Sequence, residues 1–116
     1  MVVLFVVLNA IDYLEDILSG FVKEGIGGAT ILDSQGMGST IVNNDLKSVP
    51  LFSALHMLLS ESHPYSKTIF TVLDNERMVE KAVGVVQEAV DEVKDTGVGF
   101  MFTVPIGKIY QMKLEK

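Results

Sequence analysis

Three pairs of closely spaced glycines are the residues whose type and spacing could bind a phosphate. Glycine adopts positive φ at little cost and lets a ligand reach backbone N–H groups directly. The sequence lacks the third glycine of a dinucleotide-binding fingerprint, and it has no Gly-Lys-Ser/Thr of a Walker A loop. Taken alone, each pair therefore favours a turn or a bulge. The pairs lie at the ends of predicted strands and are Gly27-Gly28, Gly36-x-Gly38 and Gly97-x-Gly99.

The side chains that perform acid–base or nucleophilic chemistry form no recognisable catalytic set. His56 and His63 are seven residues apart, whereas metal-ligand pairs on helices are spaced by about three or four residues. The adjacent carboxylates Glu15-Asp16 and Asp91-Glu92 lie on predicted solvated helix surfaces, without the burial that acid–base catalysis requires. No serine lies in a Gly-x-Ser-x-Gly elbow, and the chain has no cysteine. We therefore expect no enzyme activity, no metal site and no catalytic cofactor.

The composition is that of an acidic and strongly apolar chain. Its 116 residues are a length typical of one domain, so we expect a single domain over residues 1–116. Hydrophobic residues make up 48% of the chain, and we expect some of this apolar surface to be buried between subunits. The net charge is −6, and the nine Lys and Arg residues form no cluster. This distribution argues against binding to nucleic acid.

The N-terminal stretch MVVLFVVL is apolar, but it lacks a basic region and runs into an acidic segment. It therefore predicts a buried strand and not a signal peptide. No apolar run reaches the roughly 20 residues that a membrane-spanning helix needs. We expect a cytoplasmic protein.

Hydrophobic periodicity predicts the elements that must position the glycines. The β-branched run over 2–8 favours a strand covered on both faces. Apolar residues at helical spacing predict one helix that begins at a capping box of Asn9 and Asp12 and ends at Gly25, and a second helix capped by Asp74 or Asn75. Further strands are predicted over 29–33 with a continuation to 42, over 67–73, over 99–104, and over 108–114 as an extra edge strand.

The order β-α-β, long connection, β-α-β predicts an α+β ferredoxin-like βαββαβ sandwich with both helices on one sheet face. A doubly wound parallel sheet is the rival architecture, but two helices would leave one of its faces bare. The connection over 39–66 is far longer than the roughly two to five residues of a β-hairpin loop.

This connection contains a predicted amphipathic helix over 50–59. Its apolar stripe either packs on its own or a neighbouring subunit, or docks a partner protein. The predicted partner-binding residues are Phe52, Leu55 and Leu59.

Three segments of the chain match the pattern of a known family when they are taken together. They are Leu14-Glu15-Asp16 in the first predicted helix, GIGGATILDSQGMGST over 25–40 and FTVPIGKIYQMK over 102–113. The chain resembles the PII-type signal-transduction proteins, which have Leu-Glu-Asp in the first helix, Gly-Ile-x-Gly-Met-Thr-Val-x-x-x-x-Gly-x-Gly-Arg-Gln after it, and a closing segment similar to 102–113. The connection over 39–66 corresponds to the family's T-loop and is divergent in sequence.

The resemblance implies a homotrimer that binds an adenine nucleotide, such as ADP, AMP or ATP, in clefts between subunits. It also implies that the 39–66 loop regulates a target enzyme or membrane transporter. Lys113 would replace a phosphate-binding arginine of the family. The nucleotide-binding residues carried over are Gly27, Gly28, Ala29, Thr30, Gly36, Met37, Gly38, Gly97, Gly99 and Lys113.

Four departures from the family pattern concern polar or charged positions. Thr40 stands at a glutamine, Gln111 at an arginine, and Phe100 and Tyr65 at lysines. Charge-assisted hydrogen bonds contribute roughly 1.5–3 kcal/mol each, so we expect weakened triphosphate binding. Two alternatives remain: a structural trimer that has lost its ligand, and a metal-tolerance trimer of the CutA type, which His63-Pro64-Tyr65 resembles.

Overall fold

The computed structural model describes residues 1–37, 65–94 and 97–113. The predicted helix over 50–59, with Phe52, Leu55 and Leu59, lies outside these ranges, as does Gly38. The described elements are β1 (Val2–Leu8), a 3-10 helix (Ile11–Tyr13), α1 (Leu14–Lys23), β2 (Thr30–Gln35), β3 (Tyr65–Leu73), α2 (Glu76–Ala89) and β4 (Gly99–Pro105).

The four strands form one sheet in the order β2-β3-β1-β4. β1 pairs with β3 on one side and with β4 on the other, and β2 pairs with the outer side of β3. Every pairing is antiparallel, because β3 lies between the two strands that α1 connects and β1 lies between the two that α2 connects. The predicted ferredoxin-like α+β fold is confirmed, and the rival parallel sheet is wrong.

β1 is central because it is apolar on both faces. Leu4, Val6 and Leu8 are buried, while Phe5 and Val7 on the opposite face are half-buried. Both helices pack on the first face. Their buried residues join one core cluster with β1 and are Ile17, Phe21, Ala82 and Val86.

The two helices approach each other closely at Gly20. A Cβ atom at this position would lie 2.5 Å from Val85 Cγ1, so the absence of a side chain permits the approach. The two helices are also joined by an ion pair. Lys81 Nζ in α2 lies 3.8 Å from the carboxylate of Glu24, which directly follows α1. Among the described residues no helix is long and apolar enough to cross a membrane.

The start of α1 differs from the prediction. The Asn9 side-chain amide donates a hydrogen bond to the carbonyl oxygen of Gly97 at 3.1 Å, and the Asn9 backbone N–H donates to that of Val98 at 2.8 Å. Neither the 3-10 helix nor α1 has a side-chain cap. The predicted capping box of Asn9 and Asp12 is therefore wrong, because Asn9 is engaged by the segment that leads into β4.

Two other predicted helix ends are confirmed. Gly25 has a φ of 82° directly after α1, the left-handed conformation that favours glycine. The Asn75 side chain accepts a hydrogen bond from Met78 N at 3.0 Å, so Asn75, and not Asp74, caps α2.

The last strand predicted from the sequence does not form. Residues 106–113 contain no strand, so the edge strand over 108–114 is wrong for its described residues. Ile109, Tyr110 and Met112 are exposed, and without burial nothing offsets the entropy lost on ordering them. At the other edge β2 ends at Gln35, short of the predicted continuation to 42, of which residues 38–42 lie outside the described ranges.

Candidate functional site

β3 extends past β2 at one edge of the sheet. β2 begins at Thr30, which pairs with Phe70, whereas β3 continues to Leu73, which pairs with Val2 on its other side. Among the described residues, 71–73 therefore have no strand partner on the side of β2, and alternate residues in such a segment direct backbone N–H and C=O groups outward. A cavity of about 510 Å³ lies here, lined by residues 25–30, residues 70–74 and Met78.

The segment over 25–29, between α1 and β2, forms one wall of this cavity and is held in place by two contacts. Ile26 is buried in the core, 6% exposed, and its backbone N–H donates to the carbonyl oxygen of Phe21 at 2.8 Å. Further along, the hydroxyl of Thr71 donates to the carbonyl oxygen of Gly28. These contacts keep the segment beside β3 without completing the sheet, and the cavity remains open between them.

Gly27 and Gly28 leave the backbone of this segment uncovered. Both are exposed, and a Cβ atom at either position would meet no atom within 4 Å. Neither has a positive φ. Their backbone conformation therefore does not demand glycine, and the lack of side chains serves mainly to leave space beside the cavity.

The structure divides the sequence-predicted binding residues between two ends of the sheet. Gly27, Gly28, Ala29 and Thr30 lie together in the cavity lining. The other described members, apart from Lys113, lie at the far end. Two of them follow the six residues of β2, at about 3.4 Å each, and the start of β4 lies there because Gly99 pairs with Leu8, whose other partner is Lys67. They are Gly36 and Met37 after β2, and Gly97 and Gly99 at the start of β4.

Lys113 lies eight residues beyond Pro105, the last residue of β4, and it is exposed. It is not among the described residues that line the cavity. One chain therefore does not bring the full predicted set together.

Gly99 also has a packing reason to be glycine. Its φ is 144°, and a Cβ atom there would lie 2.1 Å from the carbonyl oxygen of Val7. No side chain is accommodated at this separation of β4 and β1.

A second cavity, of about 740 Å³, lies at the far end of β2 and β3. Lys67 Nζ forms an ion pair with the carboxylate of Asp33. The Ser34 hydroxyl lies 2.6 Å from that of Ser66 and 2.9 Å from that of Thr68. Local sequence patterns do not group these residues, because they belong to two strands whose register depends on long-range pairing.

The sheet face opposite the helices is apolar and carries an aromatic row. Phe5 pairs in register with Phe70 on one side and Phe102 on the other. The ring centroids are 5.7 Å apart for Phe5 and Phe70, and 5.0 Å apart for Phe5 and Phe102. Strand alternation places only uncharged described residues on this face. They are Val3, Phe5, Val7, Thr30, Leu32, Ser34, Ser66, Thr68, Phe70, Val72, Phe100, Phe102 and Val104.

The described residues contain no group of three or more His, Cys, Asp or Glu side chains arranged to hold a metal ion. The predicted alternative of a CutA-type metal site depends on His63, which lies outside the described ranges.

Comparison with solved structures shows a similarity in fold. The crystal structure of Arabidopsis thaliana PII bound to citrate superimposes with a TM-score of 0.65 and 14% sequence identity. The match covers 96% of this chain and 81% of that chain. The chain has a PII-like fold. No protein-family model matches the sequence, and no curated protein matches it either.

The PII-like fold agrees with the resemblance of the 25–40 segment to PII-type proteins. Because the match spans nearly the whole chain, it includes both β-α-β units and not one shared motif. At 14% identity it is a similarity of fold, and site chemistry must be argued from this chain's own residues.

Proposed function

We propose that the protein is a non-catalytic PII-like regulatory protein that acts in the cytoplasm as a homotrimer. Residues 1–116 form one PII-like domain in this proposal. An adenine nucleotide such as ADP, AMP or ATP binds in clefts between subunits, and the 39–66 loop then contacts a target enzyme or membrane transporter. The ligand acts through its different affinities for two states of the loop.

The observation that carries the nucleotide part of the proposal is the gap beside residues 71–73. Free backbone donors and acceptors at a strand end complement the hydrogen-bonding edge of a planar base. Phe70 and Met78 in the same lining offer apolar contact to its rings. The open backbone of Gly27 and Gly28 allows close approach on the other side.

The trimer part of the proposal is supported by the uncharged sheet face. A face of this size with an aromatic row at its centre is typical of a surface that another subunit covers. Phe70 belongs both to this face and to the cavity lining. A subunit that packs on the face would therefore border the cavity.

Assembly would also resolve the division of the predicted binding residues. The far-end residues Gly36, Met37 and Gly97 of one subunit would complete the cavity of its neighbour, which Gly27 and Gly28 line. A cleft of this kind links ligand binding to the base of the 39–66 loop, because Gly36 and Met37 lead directly into it.

Docking of a target remains a proposal from the sequence. Phe52, Leu55 and Leu59 supply the apolar contacts in it, at the spacing of one helical stripe. Deleting residues 45–64 should abolish target capture and leave the oligomer intact.

Sedimentation and calorimetry test the proposal together. We expect a trimer in analytical ultracentrifugation and saturable binding of at least one of AMP, ADP and ATP. The variant Gly28→Val should weaken that binding at least about tenfold, since it fills the open side of the cavity. Gly107→Val is a matched control, because Gly107 is also exposed and unobstructed but lies outside the cavity lining.

A structural trimer without a ligand is the second candidate. It is favoured by one feature of the cavity: none of its described lining residues is Lys or Arg. A trimer that binds no adenine compound in the same titrations would support this candidate and contradict the regulatory one.

A further inference from the structure

The charge distribution around the cavity beside β3 determines which half of a nucleotide it suits. Among the described lining residues the one charged side chain is Asp74, an acid. We propose that the cavity recognises the uncharged nucleoside half of its ligand, so that adenosine binds at least as tightly as ATP. This inference rests on the proposed function and specifies the ligand class of the same site.

The end of α2 that borders the cavity offers little to an anion. A helix N-terminus attracts negative charge through its free N–H groups. Here the Asn75 side chain already accepts from Met78 N at 3.0 Å. Asp74 precedes the cap and Glu76 lies in the first turn, so two carboxylates compete with any phosphate at this end.

Two lysines, one near the cavity and one at the far end of β3, are engaged by carboxylates. Lys81 Nζ lies 3.8 Å from Glu24, directly before the glycine that opens the cavity segment. Lys67, at the far end of β3, pairs with Asp33. A phosphate would have to displace a carboxylate to reach either ammonium group.

Two further cations require direct tests. Arg77 follows the α2 cap and is exposed, and Lys113 lies beyond β4, but neither is among the described residues of the lining. The chain as a whole carries a net charge of −6. A polyphosphate therefore approaches a molecule whose long-range field opposes it.

What the lining does offer suits a neutral ring system. The free edge of residues 71–73 supplies backbone donors and acceptors, and Phe70 and Met78 supply apolar surface. Thr30 adds a hydroxyl. Base recognition by such groups is independent of the number of phosphates attached to the ribose.

Isothermal titration of the full chain with adenosine, AMP, ADP and ATP tests the inference. We expect dissociation constants that agree within about threefold or favour adenosine. We also expect that ATP binding does not weaken between about 50 mM and about 300 mM NaCl, because salt over that range would screen only an attraction between the phosphates and exposed cations, which the inference excludes. ATP binding that is more than about tenfold tighter than adenosine binding would overturn the inference.

Charge variants provide a gain-of-function readout. Asp74→Lys should improve ATP binding relative to adenosine by about tenfold or more, because it places a cation in the lining. Glu80→Lys makes the same change in net charge on an exposed position of α2 outside the lining, and it should leave the ratio unchanged. Equal responses of the two variants would contradict a local effect at the cavity.

Arg77→Ala and Lys113→Ala complete the set. Neither should alter the ATP-to-adenosine ratio by more than about threefold. A fall in ATP affinity alone in either variant would show that a cation outside the lining binds phosphate, and the inference would then be wrong.

If ATP binds much more tightly than adenosine, the proposed regulatory function survives and only this inference fails. If no adenine compound binds, both fail.

Discussion

The hydroxyl of Thr71 donates a hydrogen bond to the carbonyl oxygen of Gly28, although the two residues are 43 positions apart in the chain. Thr71 is buried, 3% exposed, in the last part of β3, and Gly28 lies in the segment between α1 and β2. This bond joins the two walls of the candidate cavity where the sheet itself has no ladder bonds. The position of Gly28 therefore depends on the part of β3 that extends past β2, because Thr71 lies there.

Replacing Thr71 tests this link. Thr71→Val keeps the side-chain shape but removes the donor, and it should lower the free energy of unfolding by about 1 kcal/mol. It should also weaken ligand binding, because the Gly28 backbone loses its anchor. Thr71→Ser retains the hydroxyl and should bind more like the unaltered protein. Urea unfolding and calorimetry measure the two effects, and identical ligand affinities for the valine and serine variants would show that the Thr71 hydroxyl does not position Gly28 for binding.

The contact between the helices at Gly20 predicts an unusual response to alanine. A Cβ atom there meets Val85 Cγ1 at 2.5 Å, and overpacking of this kind costs about 1–3 kcal/mol. Gly20→Ala should therefore lower the melting temperature, although alanine has the higher helix propensity. Gly84→Ala is the control in α2, because nothing lies within 4 Å of its added Cβ; it should stabilise the protein by about 0.5–1 kcal/mol. Adding Val85→Ala to the Gly20 variant should restore part of the loss, and a stabilised Gly20→Ala single variant would contradict this packing.

Gly99 should be the glycine least tolerant of substitution in the described β4 region. An alanine Cβ would lie 2.1 Å from the carbonyl oxygen of Val7, and the φ of 144° is strained for any side chain. We expect Gly99→Ala to lower the free energy of unfolding by about 3 kcal/mol or more, in the range of the largest single-site effects. Gly107→Ala, with open space around it, should change stability by less than about 0.5 kcal/mol. Chemical denaturation of both variants gives the comparison.

The aromatic row predicts where subunits meet. Phe102 stacks on Phe5 and is 44% exposed in the single chain, so Phe102→Glu would bury an unpaired charge in any interface formed there. We expect this variant to sediment as a monomer at concentrations where the unaltered protein is a trimer. Val22→Glu introduces the same charge at a position of α1 that is 71% exposed. It should leave the oligomer unchanged, and loss of assembly in both variants would indicate that added charge, not the sheet face, is responsible.

Much of the fold was predictable from local patterns. The apolar run of β1 spans the predicted residues 2–8 without error, and Asn75 and Gly25 act as the predicted cap and turn. The candidate site was predictable in part: the segment containing Gly27 and Gly28 does line a cavity. Its other wall, residues 70–74, was missed because the predicted bounds of β3 did not indicate that it outruns β2. The strand ranges predicted from the sequence, 29–33 and 67–73, already differ in length, and in the structure β2 has six residues and β3 has nine.

By itself the sequence determined the order and type of the described helices and strands, apart from the extra edge strand that it wrongly predicted over 108–114, because hydrophobic periodicity, caps and turns act over a few neighbouring residues. Only the tertiary structure decided the use of Asn9, which donates to Gly97 across 88 positions instead of capping a helix. It also decided that β3 would leave a gap beside Gly28 and that the predicted binding residues would divide between two ends of the sheet. These outcomes depend on strand register and extent, which are set by long-range pairing and by which side chains the core can bury.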